Sequence, residues 1–183
     1  MENLEEKKKI IIAAKKGDMR AFEKILYIYE KRIYSHLYRM VGQKEDAEDL
    51  TQTTFLKLYK NIKSINLDKN FNAWVYKIAT NTAYDWLRKK RGHPEQFMED
   101  MGTIETIEDE TAYDMIESLE NKDAIEYAMN NIKKSYKSIL ILFYREELSY
   151  QEIADALSVP LNTVKSNLYR AKKSLKEQLI SKI

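Results

Sequence analysis

Apolar positions recur at spacings of three and four along most of the chain, and the alternation expected of half-buried strands is sustained nowhere. This periodicity predicts helices over residues 4–16, 18–40, 44–60, 70–90, 123–129, 134–144, 150–157 and 161–180. Gly17-Asp18 and Gly42-Gln43 punctuate the first three, because glycine ends a helix and a short polar side chain can start the next. In the second helix Phe22, Leu26, Tyr29, Ile33 and Leu37 form one stripe for a core. The expected fold class is all-α, with two small helical domains joined by a flexible acidic linker.

Within the C-terminal domain, the segment SYQEIADALSVPLNTVKSNLYRAKKSL reads as two short helices around a tight turn. Ile153, Ala154 and Leu157 share one side of the first helix, and Ala154 is small where a second helix must cross closely. Pro160 has no amide to continue that helix, and Asn162 or Thr163 can cap the next. With Val164 and Leu168 turned inward, the outward set is Thr163, Lys165, Ser166, Asn167, Tyr169 and Arg170, followed by Lys172 and Lys173. Hydroxyls, an amide and cations suit base edges and phosphates in a major groove. This is a helix-turn-helix pattern.

Composition narrows the function by exclusion. The 183 residues are enough for one large or two small domains, and 44% hydrophobic content supports packed cores. No cysteine is present, and the two histidines, His36 and His93, lie far apart, which argues against disulfides, a thiolate metal site and a zinc role. No cofactor is expected. No apolar run approaches membrane-spanning length and the N-terminus MENLEEKKK is not signal-like, so a cytoplasmic location without direct membrane insertion is expected.

The net charge of +2 conceals segregation along the chain. Residues 1–91 carry 20 Lys or Arg against 12 Asp or Glu, residues 92–121 carry ten acids and no Lys or Arg, and residues 122–183 carry 11 against seven. Two basic lobes, 1–91 and 122–183, are thus joined by an acidic linker at 92–121. Such a linker serves either as a solubilising spacer or as a mimic of nucleic acid against the basic lobes.

Two further segments carry chemistry. In DAEDLTQTTFLKLY, Ala47, Leu50, Thr54, Phe55 and Leu58 can face a core, leaving Asp46, Asp49, Gln52, Thr53 and Leu56 along another side. Helix capping accounts for acids near a helix start but not for an outward leucine, and acids with an amide and a leucine suit a protein partner bearing basic residues. No histidine or nucleophile accompanies the carboxylates, so an enzyme is not expected. In NLDKNFNAWVYKIATNTAYDWLRKKR, Phe71, Trp74, Val75, Ile78, Ala79, Thr82 and Leu87 define an apolar side, with Asn72, Tyr76, Lys77, Asn81, Tyr84, Asp85 and Arg88 on the rest. Aromatics interleaved with amides and cations suit unstacked bases, and the run Arg88, Lys89, Lys90, Arg91 suits a phosphate path.

Taken in order and spacing, these three stretches resemble regions 2.2, 2.3 to 2.4 and 4.2 of the bacterial RNA polymerase sigma factors of the sigma-70 class, in the two-domain extracytoplasmic-function group. The resemblance covers nearly the whole chain except the linker. It implies a chain that directs polymerase core to promoters without covalent chemistry of its own. Asp46, Asp49, Gln52, Thr53 and Leu56 would meet the clamp of the largest polymerase subunit. Asn66, Asn70, Phe71, Trp74, Lys77 and Asn81 would line a pocket for a flipped base of the non-template strand, with Arg88 to Arg91 on upstream backbone. Thr163, Lys165, Ser166, Asn167 and Arg170 would read the duplex -35 element, with Lys172 and Lys173 on phosphates.

The implied partners are polymerase core at its clamp and flap, promoter DNA both duplex and single-stranded, and an anti-sigma factor. Departures from the family pattern are Thr53 for a common glutamate, Tyr59 for a frequent tryptophan, Lys134 near a usual proline and Asn167 for a common arginine. Two rivals remain at this point. A stand-alone helix-turn-helix regulator leaves the Asp46 to Leu56 strip unexplained, and a sigma-like protein-binding adaptor would lack the DNA contacts.

Overall fold

The computed structural model describes residues 2–91 and 122–180, all in helices, tight turns and short connections. The predicted linker at 92–121 lies outside the described residues. The chain divides into two compact units, Met1–Gly92 and His93–Ile183.

The first unit contains α1 (Glu2–Lys15), α2 (Met19–Val41), α3 (Lys44–Asn61), a single 3-10 turn at Ile62–Ser64 and α4 (Phe71–Arg91). Asp18 starts α2 by accepting the amides of Arg20 and Ala21 at 2.9 and 3.2 Å. Gly42 ends it in the left-handed region at φ 81°, a conformation in which glycine meets no Cβ penalty, and its N–H donates to the Tyr38 carbonyl at 2.9 Å. The helix between these stops packs against α1, α3 and α4, so it needs a buried face wider than a single stripe. Ile25 and His36 therefore join Phe22, Tyr29, Ile33 and Leu37 in the interior, whereas Leu26 sits at the edge.

Two threonines enter this core with their hydrogen bonds made locally. Thr51 and Thr54 of α3 donate to the carbonyls of Ala47 and Leu50 at 2.6 and 2.7 Å, one turn back on the same helix. That is how a TQTT run supplies buried positions. His36 is fully buried between α2 and α4, with Nε2 3.0 Å from Thr80 Oγ1 and its ring edge-on to Tyr76. On α4, Tyr76 and Tyr84 are buried rather than outward, because α2 and α3 both pack on that helix. Burial pushes the Tyr84 phenol up.

The second unit contains α5 (Lys122–Asn131), α6 (Lys134–Leu140), α7 (Tyr150–Leu157) and α8 (Leu161–Ile180). The helix predicted over 134–144 changes hydrogen-bond register at its end. Ile141–Arg145 form a π turn, with Glu146 N–H reaching back five residues to the Ile141 carbonyl at 3.1 Å. Leu142 is buried within this turn, and the Phe143 ring stacks on Tyr150 at 5.3 Å. Among the described residues, no helix is long and apolar enough to cross a membrane.

Desolvation and the neighbouring Arg39 push the His36 imidazole down to about 3. Below its unfolded value near 6.5 the unfolded chain takes up a proton that the folded chain refuses, so this contribution is complete above pH 6.5 and declines toward pH 3. The expected slope is about 1.4 kcal/mol per pH unit for this group. Urea unfolding followed by Trp74 and Trp86 fluorescence, both in the first unit, should show that slope, and His36→Leu should flatten it.

Candidate polymerase and nucleic-acid interfaces

Alternation of core and solvent positions on α3 separates two faces. Ala47, Leu50, Thr51, Thr54 and Leu58 are buried, while Asp49, Gln52, Thr53 and Leu56 are exposed. Leu56 is 61% exposed, an apolar group held out on an otherwise acidic and amide-bearing strip. Asp46 departs from the expected strip. Its carboxylate receives the Lys90 ammonium at 2.9 Å and its side chain keeps only 19% exposure, which ties the start of α3 to the end of α4.

Beside this strip lies a groove of about 660 Å³ between α2 and α3, lined by Tyr27, Glu30, Lys31, Tyr34, Glu48, Thr51, Gln52 and Phe55. Its two tyrosines were not among the residues singled out from sequence, although Tyr27 lies off the α2 core stripe and is 85% exposed. Gln52 belongs to both the groove and the strip.

The connection before α4 is built by asparagines. Asn66 Oδ1 accepts the Asp68 amide at 2.9 Å in an Asx turn, and Asn70 Oδ1 accepts the Asn72 amide at 2.9 Å at the entrance to α4. Their carbonyl oxygens thus shape the backbone. Of the remaining candidates, Phe71 is buried, edge-on to Tyr29, and is not a contact surface. Being first on α4 and apolar, it closes the core there. Trp74 and Asn81 are half-buried and Lys77 is exposed.

Trp74, Lys77, Asn81, Asp85 and Arg88 follow three-and-four spacing along one face, about 20 Å long. At its far end Arg88 pairs with Asp85 at 3.7 Å, and Lys90 Nζ lies 4.5 Å from the Trp86 ring centre in addition to its pair with Asp46. Ion pairs this exposed are worth at most about 1 kcal/mol, so phosphate can compete for these cations. Lys89 is exposed, and the Arg91 side chain lies outside the described residues.

The second unit contains a helix-turn-helix with both boundaries encoded locally. Ser149 and Glu152 form a reciprocal capping box on α7. Ser158 turns the chain in the left-handed region at φ 57°, and Pro160 leads into α8. On α8, Lys165 and Lys173 are exposed and Thr163 and Arg170 half-exposed, as expected.

Three residues expected to face DNA are interior instead. Asn167 is fully buried and its Nδ2 donates to the Thr163 carbonyl at 2.8 Å; Ser166 is buried and its hydroxyl donates to the same carbonyl at 3.2 Å. Lys172 is 8% exposed, its ammonium 5.3 and 5.6 Å from the Phe143 and Tyr144 ring centres, and burial pulls its pKa below the usual lysine value. The reason is common to all three. α8 packs against α5, α6 and α7, so three neighbours cover more of it than the Val164 and Leu168 stripe alone indicates. The exposed edge runs instead through Asn162, Lys165, Lys173 and Lys176, and Asn162 and Lys176 were missed although helical spacing places them there.

Comparison with known proteins follows the same two units. The Sigma-70 region 2 family matches residues 27–93, and the Sigma-70 region 4 family matches residues 122–175. The chain is 35% identical over 183 residues to the ECF RNA polymerase sigma factor SigW of Bacillus subtilis, across 94% of this chain and 96% of that relative. The chain belongs to the ECF sigma factors. A second relative of this sigma factor is the RNA polymerase sigma-H factor of Pseudomonas aeruginosa, 29% identical over 182 residues, covering 96% of this chain and 94% of the relative. Among solved structures, the sigma factor RpoE of Bartonella quintana, in complex with the anti-sigma factor NepR, aligns with a TM-score of 0.59 and 26% identity. That alignment covers 88% of this sigma factor and 98% of the RpoE chain.

Asn167→Ala should destabilise the helix-turn-helix unit by about 1–3 kcal/mol, because it removes an interior hydrogen bond together with packing volume. Denaturant titration followed by helical circular dichroism should show the loss in the phase that leaves Trp74 and Trp86 fluorescence unchanged.

Proposed function

We propose a residue-level division of labour for this sigma factor, which directs RNA polymerase core to ECF-type promoters. Residues 1–91 bind the polymerase clamp and the -10 element, residues 92–121 connect, and residues 122–183 read the -35 element. Asp49, Gln52, Thr53 and Leu56 meet the clamp, with Asp46 holding Lys90 at the edge of that surface. The observation that carries this assignment is the exposed Leu56 on an acidic and amide-bearing helix face, within a lobe rich in cations elsewhere.

Single-stranded -10 DNA is received between the Asn66 to Asn70 turn and the α4 face bearing Trp74, Lys77 and Asn81. Arg88, Lys89 and Lys90 attract its upstream backbone, joined by Arg91 at the helix end. Unstacking a base costs a few kcal/mol per step, offset by stacking, amide contacts and the polymerase that holds both lobes on one promoter. Thr163, Lys165, Arg170 and Lys173 face the -35 major groove and its phosphates. Ser166, Asn167 and Lys172 act there as supports, since their side chains serve the interior. Polymerase performs nucleotidyl transfer. An anti-sigma factor, as in the RpoE complex, restrains the chain when its regulon is silent.

Transcription by purified core polymerase on a pool of random promoters tests the whole assignment: addition of the chain should enrich transcripts for paired -35 and -10 elements. Asp49→Lys with Leu56→Ala should weaken core binding at least tenfold, about 1.4 kcal/mol, and leave -35 duplex binding by the chain intact. Lys165→Ala with Arg170→Ala should do the reverse. Unchanged core affinity in the first pair would remove the clamp assignment, and unchanged promoter selectivity in the second would remove the recognition-helix assignment.

A further inference from the structure

Two lysines of α1 are committed to the segment assigned to single-stranded DNA, one to its backbone and one to its flank. Lys15, the last residue of α1, donates from Nζ to the Ile65 carbonyl at 2.7 Å. Lys7 donates from Nζ to Asn72 Oδ1 at 2.8 Å and lies 5.1 Å from the Tyr29 ring centre. The buried Tyr29 hydroxyl donates to the same Asn72 oxygen. Ile65 opens the connection between the 3-10 turn and α4, and Asn72 is the second residue of α4, just past its other end.

Lys15 lies eight positions beyond Lys7, a rise of about 12 Å along the helix, with Ile11 and Ala14 buried between them. One rigid element thus grips both ends of a segment whose middle, Asn66 to Lys69, is exposed. Within that middle the turn is held by short-range bonds: Asp68 N–H to Asn66 Oδ1 at 2.9 Å and Lys69 N–H to the Asn66 carbonyl at 3.3 Å. Short-range bonds set the local shape of a turn. Bonds from the Asn72 and Trp74 amides to Asn70 tie its far end to α4, and its near end at Ile65 is held to α1 by Lys15.

We infer that Lys7 and Lys15 are positioning residues for the -10-reading segment: they fix its two ends on α1 so that the exposed turn is already in place when a base leaves the stack. This rests on the assignment of the Asn66 to Asn70 turn and the start of α4 to -10 DNA. A preplaced turn spends less binding energy on ordering itself, so the lysines strengthen strand capture without touching the strand. The Ile65 carbonyl and Asn72 oxygen suit an ammonium donor, and the Tyr29 ring adds attraction for the Lys7 charge.

The test pairs two measurements on Lys7→Met with Lys15→Met, which keeps the aliphatic stems and removes both ammonium groups. Hydrogen exchange on the free chain should accelerate about tenfold at the amides of Ile65, Asp68 and Lys69, while α2 and α3 keep their protection. The second measurement uses the holoenzyme on the promoter selected by the wild-type protein, with 2-aminopurine in the non-template -10 strand. Base capture should weaken about tenfold with core binding unchanged, and the salt dependence of capture should keep its slope. Lys7→Arg with Lys15→Arg should recover most of both signals.

Unchanged exchange, or unchanged capture by a wild-type-competent promoter, would overturn the positioning role. A salt slope shallower by about 0.7 per lysine would also overturn it, by showing that the lysines meet phosphate directly. General loss of protection in α2 and α3 would make the pair part of the fold as a whole and overturn the local role. A wild-type holoenzyme without any 2-aminopurine signal would overturn the -10 assignment and the role that rests on it, and the exchange data distinguish that case from lysines that do not hold the segment.

Discussion

Packing of α4 against α2 is the constraint on which the first unit depends. One helix has to complete a core with one face and present cations, amides and Trp74 with the other, so its rotation about its own axis decides what is available to a nucleic acid. The His36–Thr80 contact, with Tyr76 edge-on, fixes that rotation from inside. A buried imidazole is tolerated because it remains neutral and is matched to a hydroxyl, whereas a charged group in its place would carry the full cost of leaving water. Phe71 and Tyr29 complete the same interface at the start of α4.

That rotation also joins the surfaces proposed for different partners. The Lys90–Asp46 pair links the cationic end of α4 to the start of the helix that carries Leu56. The bond is partly shielded at Asp46 and open at Lys90, so it can orient α3 while the lysine remains near enough to compete for phosphate. Clamp surface and strand surface therefore rest on the same two helices. At the other end of the unit, α1 reaches the connection before α4 through Lys15 and the first turn of α4 through Lys7.

The second unit solves a related problem with a different central element. α8 is both the helix proposed to face DNA and the helix against which α5, α6 and α7 pack. A helix with three neighbours can leave only a narrow edge to solvent, which explains why Asn167 and Ser166 bond to the backbone of their own helix and why Lys172 lies under aromatic rings. The π turn at Ile141–Arg145 contributes Phe143 and Tyr144 to that cover. On α8 the cations left exposed or half-exposed are Lys165, Arg170, Lys173 and Lys176.

Much of this was legible in the chain because its signals are local. Helix existence followed from periodicity, the stop at Gly42 from backbone chemistry, and the exposed Leu56 from spacing on a single helix, whereas the first helix of the helix-turn-helix stops at Ser158, before Pro160. Local signals do not say how many neighbours a helix acquires. Tyr76, Tyr84, Asn167 and Lys172 carry polar atoms and read as outward on an isolated helix, yet each is buried because further elements arrive from distant parts of the sequence. The partners of Lys7, Lys15 and Lys90 lie 65, 50 and 44 residues away, beyond any pattern of spacing. Sequence by itself determined the helices, their order and the two basic lobes; tertiary packing decided which polar groups remained available, because burial and long-range hydrogen bonds are properties of assembled helices.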